Sequence, residues 1–266
     1  MAAAREIIRL EVVESTNSAA LDAGKQGAAP GTVFVAASQT GGRGRLNRSW
    51  LSPPGMGLYF SLLLRPHLAV GDLPKITLAA GLAMCKVVEA AYGLAPQIKW
   101  PNDLLLSGRK FGGILTETGS QHSMSAGSPP IVVVGVGLNL FPPDGGFPPE
   151  LKARATSLAL HMNRKISADI LLEAGISAIE NVVARLEKGD FPKILKEWMQ
   201  RDASRGKVLT WVTPRGKEVT GVSLGPDADG ALRVKDRSGT IHTVLSGDVA
   251  LVAKIPAERS QVLPRE

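Results

Sequence analysis

Between Gln97 and Leu140 four apolar runs follow one another with only turns between them, around 97–100, 103–106, 111–118 and 131–140. Ser107-Gly108 and the SAGSPP stretch supply two of those turns. Strands that succeed each other without an intervening helix are expected to be connected mostly as hairpins. This feature, with the helices around it, predicts an α+β fold with a mixed, mostly antiparallel sheet rather than a regular βαβ alternation.

The remaining elements fit around that sheet. Residues 5–14 and Thr32–Ser38 read as strands, joined by a helix that starts at Ser15-Thr16-Asn17, three good N-cap residues, and fades at Gly24 or Gly27. Leu58–Leu64 is another strand, and Asp72 with Pro74 marks a helix start. That helix carries a stripe at Ile76, Ala80, Ala83, Val87, Ala91 and Leu94, with Cys85 inside it as a core residue. The FPPDGGFPPE loop is expected to lack regular structure. Leu172, Ile176, Ile179, Val183 and Leu186 then form a second stripe, and Pro192–Gln200 a short helix. After Gly206 the texture changes to short β-prone runs (Val208–Thr213, Glu218–Leu224, Ala231–Lys235, Thr240–Leu245, Val249–Ala253) separated by tight turns, the pattern of a small β-barrel.

Hydrophobic residues make up 44% of 266 and charged residues 21%, enough for a sizeable core and too few charges for global disorder. No run approaches the ~18 uninterrupted apolar residues of a spanning helix, and the first residues lack the shape of a secretory signal, so no membrane partner is expected. One cysteine in the chain rules out an internal disulfide and suits a reducing cytoplasm. The net charge of +7 favours anionic partners without naming them.

Three segments carry the chemistry. Gly41-Gly42-Arg43-Gly44-Arg45-Leu46-Asn47-Arg48 lies between two strands. Glycines let backbone N–H groups gather around an anion, and arginine forks add charge-assisted bonds. Alone, the segment fits a solvated Arg/Gly turn or a nonspecific RNA contact as well as it fits a nucleotide site. The second is Lys99-Trp100-Pro101-Asn102-Asp103 followed by Gly108-Arg109-Lys110-Phe111-Gly112-Gly113-Ile114-Leu115. The third, Gly135-Val136-Gly137-Leu138-Asn139, sets two glycines in an apolar strand, the mark of close approach by a ligand or another backbone. Four scattered histidines, His67, His122, His161 and His242, show no metal-ligand spacing.

Taken jointly, Glu14-Ser15-Thr16-Asn17, Gln39 with GGRGR, Arg48-Ser49-Trp50, KWPND, GRKFGGIL and GVGLN resemble the catalytic region of biotin protein ligases in order and spacing, over about residues 5–160. The resemblance implies a class II synthetase-like catalytic domain over 1–204 and an SH3-like barrel over 205–256; the last residues, 257–266, read by themselves as a flexible tail. It implies activation of biotin with ATP and Mg²⁺, then transfer to a lysine of a biotin carboxyl carrier protein domain of acetyl-CoA carboxylase or a related carboxylase. A homodimer is compatible with it. Only fourteen residues precede Ser15, so neither a DNA-binding domain nor DNA as a partner is expected.

The resemblance assigns Ser15, Thr16, Asn17, Gln39, Arg43, Gly44, Arg45, Lys110, Gly113, Leu115, Gly135 and Gly137 to biotin. It assigns Arg43, Arg45, Arg48, Trp50, Lys99, Asn102, Asp103, Lys110 and Asn139 to ATP, with Lys110, Arg43 and Arg45 catalytic and the metal ligands undetermined. Asn47 stands where the family commonly has glycine; asparagine tolerates positive φ next best, so the turn is expected to persist. The alternatives are a lipoate ligase or octanoyl transferase, against which Gln39 and KWPND argue because a lipoyl or octanoyl chain has no ureido group to satisfy, and a nucleic-acid-binding module, which the lone barrel tryptophan Trp211 argues against.

Overall fold

The computed structural model describes residues 5–119, 129–212 and 218–245, together with the backbone of 249–251. The SAGSPP turn, Thr213, the ends of the last β run and the tail at 257–266 fall wholly or partly outside them. The elements run β1 (Ile7–Val13), α1 (Thr16–Lys25), β2 (Val33–Gln39), β3 (Gly57–Leu64), α2 (Leu73–Tyr92), β4 (Gln97–Lys99), β5 (Asp103–Leu106), β6 (Arg109–Thr118) and β7 (Val132–Asn139). They continue with α3 (Pro149–Lys152), α4 (Ala168–Glu187), α5 (Phe191–Met199), β8 (Val208–Val212), β9 (Glu218–Pro226), β10 (Leu232–Asp236), β11 (Ile241–Val244) and β12 (Val249–Leu251).

Seven strands form one sheet in the order β1-β2-β3-β7-β6-β5-β4. Only β1 and β2 are parallel, because α1 crosses over between them; every other neighbour is antiparallel. The four-strand run read from sequence is therefore β4 to β7. The last five strands form a second, antiparallel sheet in the order β11-β10-β9-β8-β12.

Strand alternation divides the first sheet into two faces. Val33, Val35, Phe60, Leu62, Val132, Val134 and Val136 face α2 and α4 in the main core. Phe34, Leu63 and Val133 face the other way, against Ala20 of α1. Gly175 of α4 lies close to Met84 of α2, where an added Cβ would meet the sulfur at 3.0 Å. Leu172, Ile176 and Ile179 of α4 are fully buried there, and each such side chain stabilises the fold by about 1.5–3 kcal/mol relative to exposure.

Some local expectations need correction. Asp72 stands at the start of α2 but does not cap it; its carboxylate takes Lys75 Nζ at 2.7 Å, because residues 70–72 already coil as a 3₁₀ turn. The α2 stripe stops short of Leu94, since Gly93 adopts φ 70° and ends the helix. Pro149–Lys152 forms one helical turn that begins in the last two residues of the stretch expected to be irregular, with Pro149 in its first turn, where no N–H is missed.

Cys85 is fully buried, and burial pushes its thiol up to about 12. At pH 8 the thiolate is then on the order of one in ten thousand of the population. Native protein should resist iodoacetamide at that pH and become alkylated only on unfolding, as mass spectrometry would report; stoichiometric labelling of folded protein would contradict this packing. The turn between β9 and β10 is tied to the larger part of the chain, among other contacts, by Trp100 Nε1, which donates to Gly230 O at 2.9 Å, and by Lys75 Nζ of α2, which lies 3.7 Å from Asp229 Oδ1. Among the described residues no helix is long and apolar enough to cross a membrane.

Candidate active site

The side of the sheet that faces α1 is only partly covered by it, and the remainder floors a cavity. In antiparallel pairs, residues directly opposite share a face. Ser61 is paired with Gly135, Tyr59 with Gly137, Leu115 with Gly135 and Gly113 with Gly137. That register collects Gly113, Leu115, Gly135, Gly137 and Ser61 on one face, with Glu117, opposite Val133, continuing the row.

The two β7 glycines leave room for side chains from above. A Cβ on Gly135 would lie 2.1 Å from Asn17 Oδ1, and one on Gly137 would lie 2.6 Å from Trp50 Nε1. The close approach that these glycines announce is thus made by Asn17 and Trp50.

The wall at the start of α1 is a hydrogen-bonded chain. Gln39 Oε1 accepts from the Thr16 N–H at 2.9 Å, satisfying one of the free donors at the helix start, and lies 3.2 Å from Thr16 Oγ1. Gln39 Nε2 donates to Ser52 Oγ at 2.9 Å. Ser61 Oγ, wholly buried, sits 2.8 Å from Thr16 Oγ1 and 2.6 Å from Asn17 Oδ1. Both Asn17 amide hydrogens are engaged, with Leu115 O at 3.1 Å and Glu117 Oε2 at 2.7 Å. Ser15 takes the N-cap position with extended backbone, and its hydroxyl makes no capping bond.

The Gly/Arg segment folds back on itself as a small flap. Arg43 and Ser49 form a β-bridge, Gly44 N donates to Arg48 O at 2.6 Å and Trp50 N to Gly42 O at 2.8 Å. Its tip is a 3₁₀ turn, Arg45–Asn47, with Leu46 at φ 55° and Asn47 at φ 56°. Asparagine accommodates that conformation, as expected; a left-handed leucine beside it was not foreseen. Gly42 is needed for proximity, since a Cβ there would meet Trp50 O at 2.5 Å. Arg43 reaches inward: Nη1 donates to Ser18 Oγ at 2.7 Å and Nη2 lies 3.1 Å from Glu117 Oε2. The Arg45 guanidinium lies 5.9 Å from the centroid of the Trp100 ring, within cation–π range.

Lys110 arrives by a bulge. Ser107 and Gly108, both with positive φ, make the tight turn between β5 and β6. Asp103 is paired with Gly113 and Leu104 with Gly112, but Leu105 is paired with Lys110, so one extra residue is inserted. Regular alternation from Ile114 and Gly112 would send Lys110 into the α2 core. The bulge instead buries Phe111 there and turns Lys110 to the cavity side. Lys110 Nζ lies 2.5 Å from Asp103 Oδ1 and 5.2 Å from the Trp50 ring centroid. Its backbone is clamped by Arg154 and Thr156.

The cavity so formed is lined by Ser15, Thr16, Asn17, Gln39, Arg43, Gly44, Trp50, Asn102, Lys110, Gly113, Leu115, Gly135 and Gly137, with Ile114 and Val136 completing it. Arg45, Arg48, Lys99, Asp103 and Asn139 stand outside that lining. Asp103 is attached to it through Lys110. Asn102 is a strut, since its Nδ2 donates to Ile114 O at 2.8 Å and its carbonyl accepts from Ile114 N at 3.0 Å. Asn139 Nδ2 donates to Thr156 O, and Thr156 Oγ1 is 2.9 Å from His161 Nε2. Burial, with help from Arg109, lowers the His161 imidazole below its usual range and favours the neutral ring. Trp50 Nε1 is buried at the cavity with no hydrogen-bond partner among the described residues.

Sequence reasoning passed over Ser18, Ser61 and Glu117. Ser61 carried a signal, as the one polar residue inside an otherwise apolar strand. Glu117 shares parity with Gly113 and Leu115, which would have placed it had the strand's cavity face been known. No three His, Cys, Asp or Glu side chains converge on a metal-binding point among the described residues.

Residues 10–139 match the biotin/lipoate A/B protein ligase family, and 212–252 match the biotin protein ligase C-terminal domain. The chain is 33% identical over 247 residues to a bifunctional ligase/repressor of Bacillus spizizenii, covering 93% of this chain and 74% of that protein. It is 32% identical over 230 residues to a biotin–[acetyl-CoA-carboxylase] ligase of Paracoccus denitrificans, covering 85% and 92%. Among solved structures, a biotin protein ligase from Aquifex aeolicus in complex with biotin and ATP matches with a TM-score of 0.80 at 27% identity, covering 94% of this chain and 100% of that one.

Proposed function

The chain belongs to the biotin protein ligase family, and from that premise we propose that it joins biotin to ATP as biotinyl-5'-AMP and then passes biotin to a lysine of a carrier domain. The acceptor is the biotin carboxyl carrier protein domain of acetyl-CoA carboxylase or a related carboxylase. The observation that carries the reading is the meeting of Arg43 and Gly44 of the flap with Lys110 of the β5–β6 hairpin around one glycine-floored cavity.

In the first step a biotin carboxylate oxygen attacks the α-phosphorus of ATP, and pyrophosphate leaves. Two anions must meet, so the barrier falls where cationic donors already point at the developing charge. Lys110 is the side chain to do this: its Nζ is held by Asp103 at the cavity edge and can turn to a phosphoryl oxygen without leaving that carboxylate's field. The wall of Thr16, Asn17 and Gln39, backed by the buried Ser61 hydroxyl, suits the polar ureido end of biotin, with Ser15 beside it. The indole N–H of Trp50 offers a buried donor to a ligand acceptor. Mg²⁺ is proposed to enter with ATP, carried chiefly by its phosphates, as is usual for this hard cation. In the second step the carrier lysine attacks the acyl carbon and AMP leaves, so no nucleophile from the chain is required. A flap over the mixed anhydride excludes water until then.

The division near residue 204, an SH3-like form for the small second sheet and a cytoplasmic setting are parts of the same proposal. The lipoate alternative is not favoured, because a lipoyl chain would leave the polar wall unanswered. Incubation with biotin, ATP and Mg²⁺ should yield biotinyl-AMP by mass detection, and lipoate should yield none. Absence of the biotin adduct, or a preference for lipoate, would sink the assignment.

A further inference from the structure

Both anions proposed to bind here would meet an acidic residue, Glu117, to which the two-step reaction gives no role. Glu117 stands on the cavity face of β6, with its side chain 29% exposed. A carboxylate beside a pocket for a carboxylate and a phosphate repels both unless something offsets it. The offset is Arg43. Nη2 of that arginine lies 3.1 Å from Glu117 Oε2 and 3.3 Å from Oε1, while Nη1 is committed to Ser18. The same Oε2 accepts from Asn17 Nδ2 at 2.7 Å. One carboxylate therefore grips both a flap residue and a wall residue, and the wall continues through Ser61 and Thr16 to Gln39.

We propose that Glu117 is a positioning residue, which pins the flap through Arg43 and sets the Asn17 amide from the same carboxylate. Arg43 then acts chiefly as the strut that keeps the flap hairpin against β6, and Lys110, held at the cavity edge by Asp103, is left to meet the reacting phosphoryl group. The flap is docked by the protein's own anion before any substrate phosphate arrives. This kinetic consequence rests on the ligase reading; the docking itself does not.

Glu117→Gln separates the two contacts, because the amide still accepts from Asn17 while the charge that holds Arg43 is gone. Hydrogen exchange on ligand-free protein should show the Gly44 and Trp50 amides, both hydrogen-bonded within the flap, exchanging roughly tenfold faster, the size of one lost charge-assisted bond. Amides of β3 and β7 should stay slow, which marks the effect as local. The biotin KM should rise roughly tenfold with kcat changed less than about threefold. In an Arg43→Ala background the substitution should add nothing further. Unchanged flap exchange overturns the proposal whatever the activity, and so does an equal rise in KM with and without Arg43. A wild-type protein that makes no biotinyl-AMP would instead overturn the ligase reading, with the exchange result still deciding this one.

Discussion

Lys110→Ala should lower biotinyl-adenylate formation by ~10²–10³-fold while the protein keeps its fold. The two halves of that expectation have separate grounds. The rate falls because a preorganised cationic donor at the point of charge development is removed, and water entering the gap must reorganise to replace it. The fold survives because the side chain is a third exposed and its partner Asp103 is 23% exposed, so the lost pair is screened and Asp103 can rehydrate. Lys110 is also held at its backbone by Arg154 and Thr156, contacts that truncation leaves alone. Single-turnover detection of the adenylate, beside circular dichroism of the same preparation, checks both. Adenylate synthesis within a few-fold of wild type would remove Lys110 from the chemistry.

Gly135→Ala should cost more than its one methyl group suggests. The new Cβ would fall 2.1 Å from Asn17 Oδ1, so the Asn17 amide must leave. It would take with it one of the two partners of fully buried Ser61, the donor to Leu115 O and a contact of Glu117. An unmet buried polar group costs about 1–3 kcal/mol, and overpacking a further 1–3. The Tm should fall by roughly 5–15 °C, and biotin affinity by at least about a hundredfold as the wall comes apart. Gly71→Ala is the control, since a Cβ there meets nothing within 4 Å. Wild-type biotin affinity in Gly135→Ala, measured by calorimetry, would show that Asn17 is not needed where the structure puts it.

The two substitutions also mark what could be read from sequence. The hairpin series from β4 to β7, the α4 stripe and the change of texture after Gly206 were legible because each rests on a local period or a turn residue. Gly135 and Gly137 were legible as places of close approach, but not what approaches, because Asn17 and Trp50 come from distant parts of the chain. The register that aligns Ser61 with Gly135 was equally hidden, being a property of strand pairing. Lys110 shows the sharpest limit. Its identity stood out within GRKFGGIL, yet strand alternation alone would have pointed it into the core, and only the inserted residue at Phe111 turns it round. Asp72 was legible as the start of α2, but not that its carboxylate would take Lys75 rather than a backbone N–H.

The tie between Trp100 and Gly230 has an outcome for anyone who trims this chain. The indole that rests its N–H on a turn of the second sheet is the same ring above which Arg45 of the flap sits. Cutting away the last sixty residues would leave that indole without its acceptor and let the plate beneath the arginine tilt. A shortened protein would then show its injury at the far end of the molecule's machinery, as a loosened grip rather than as a missing part.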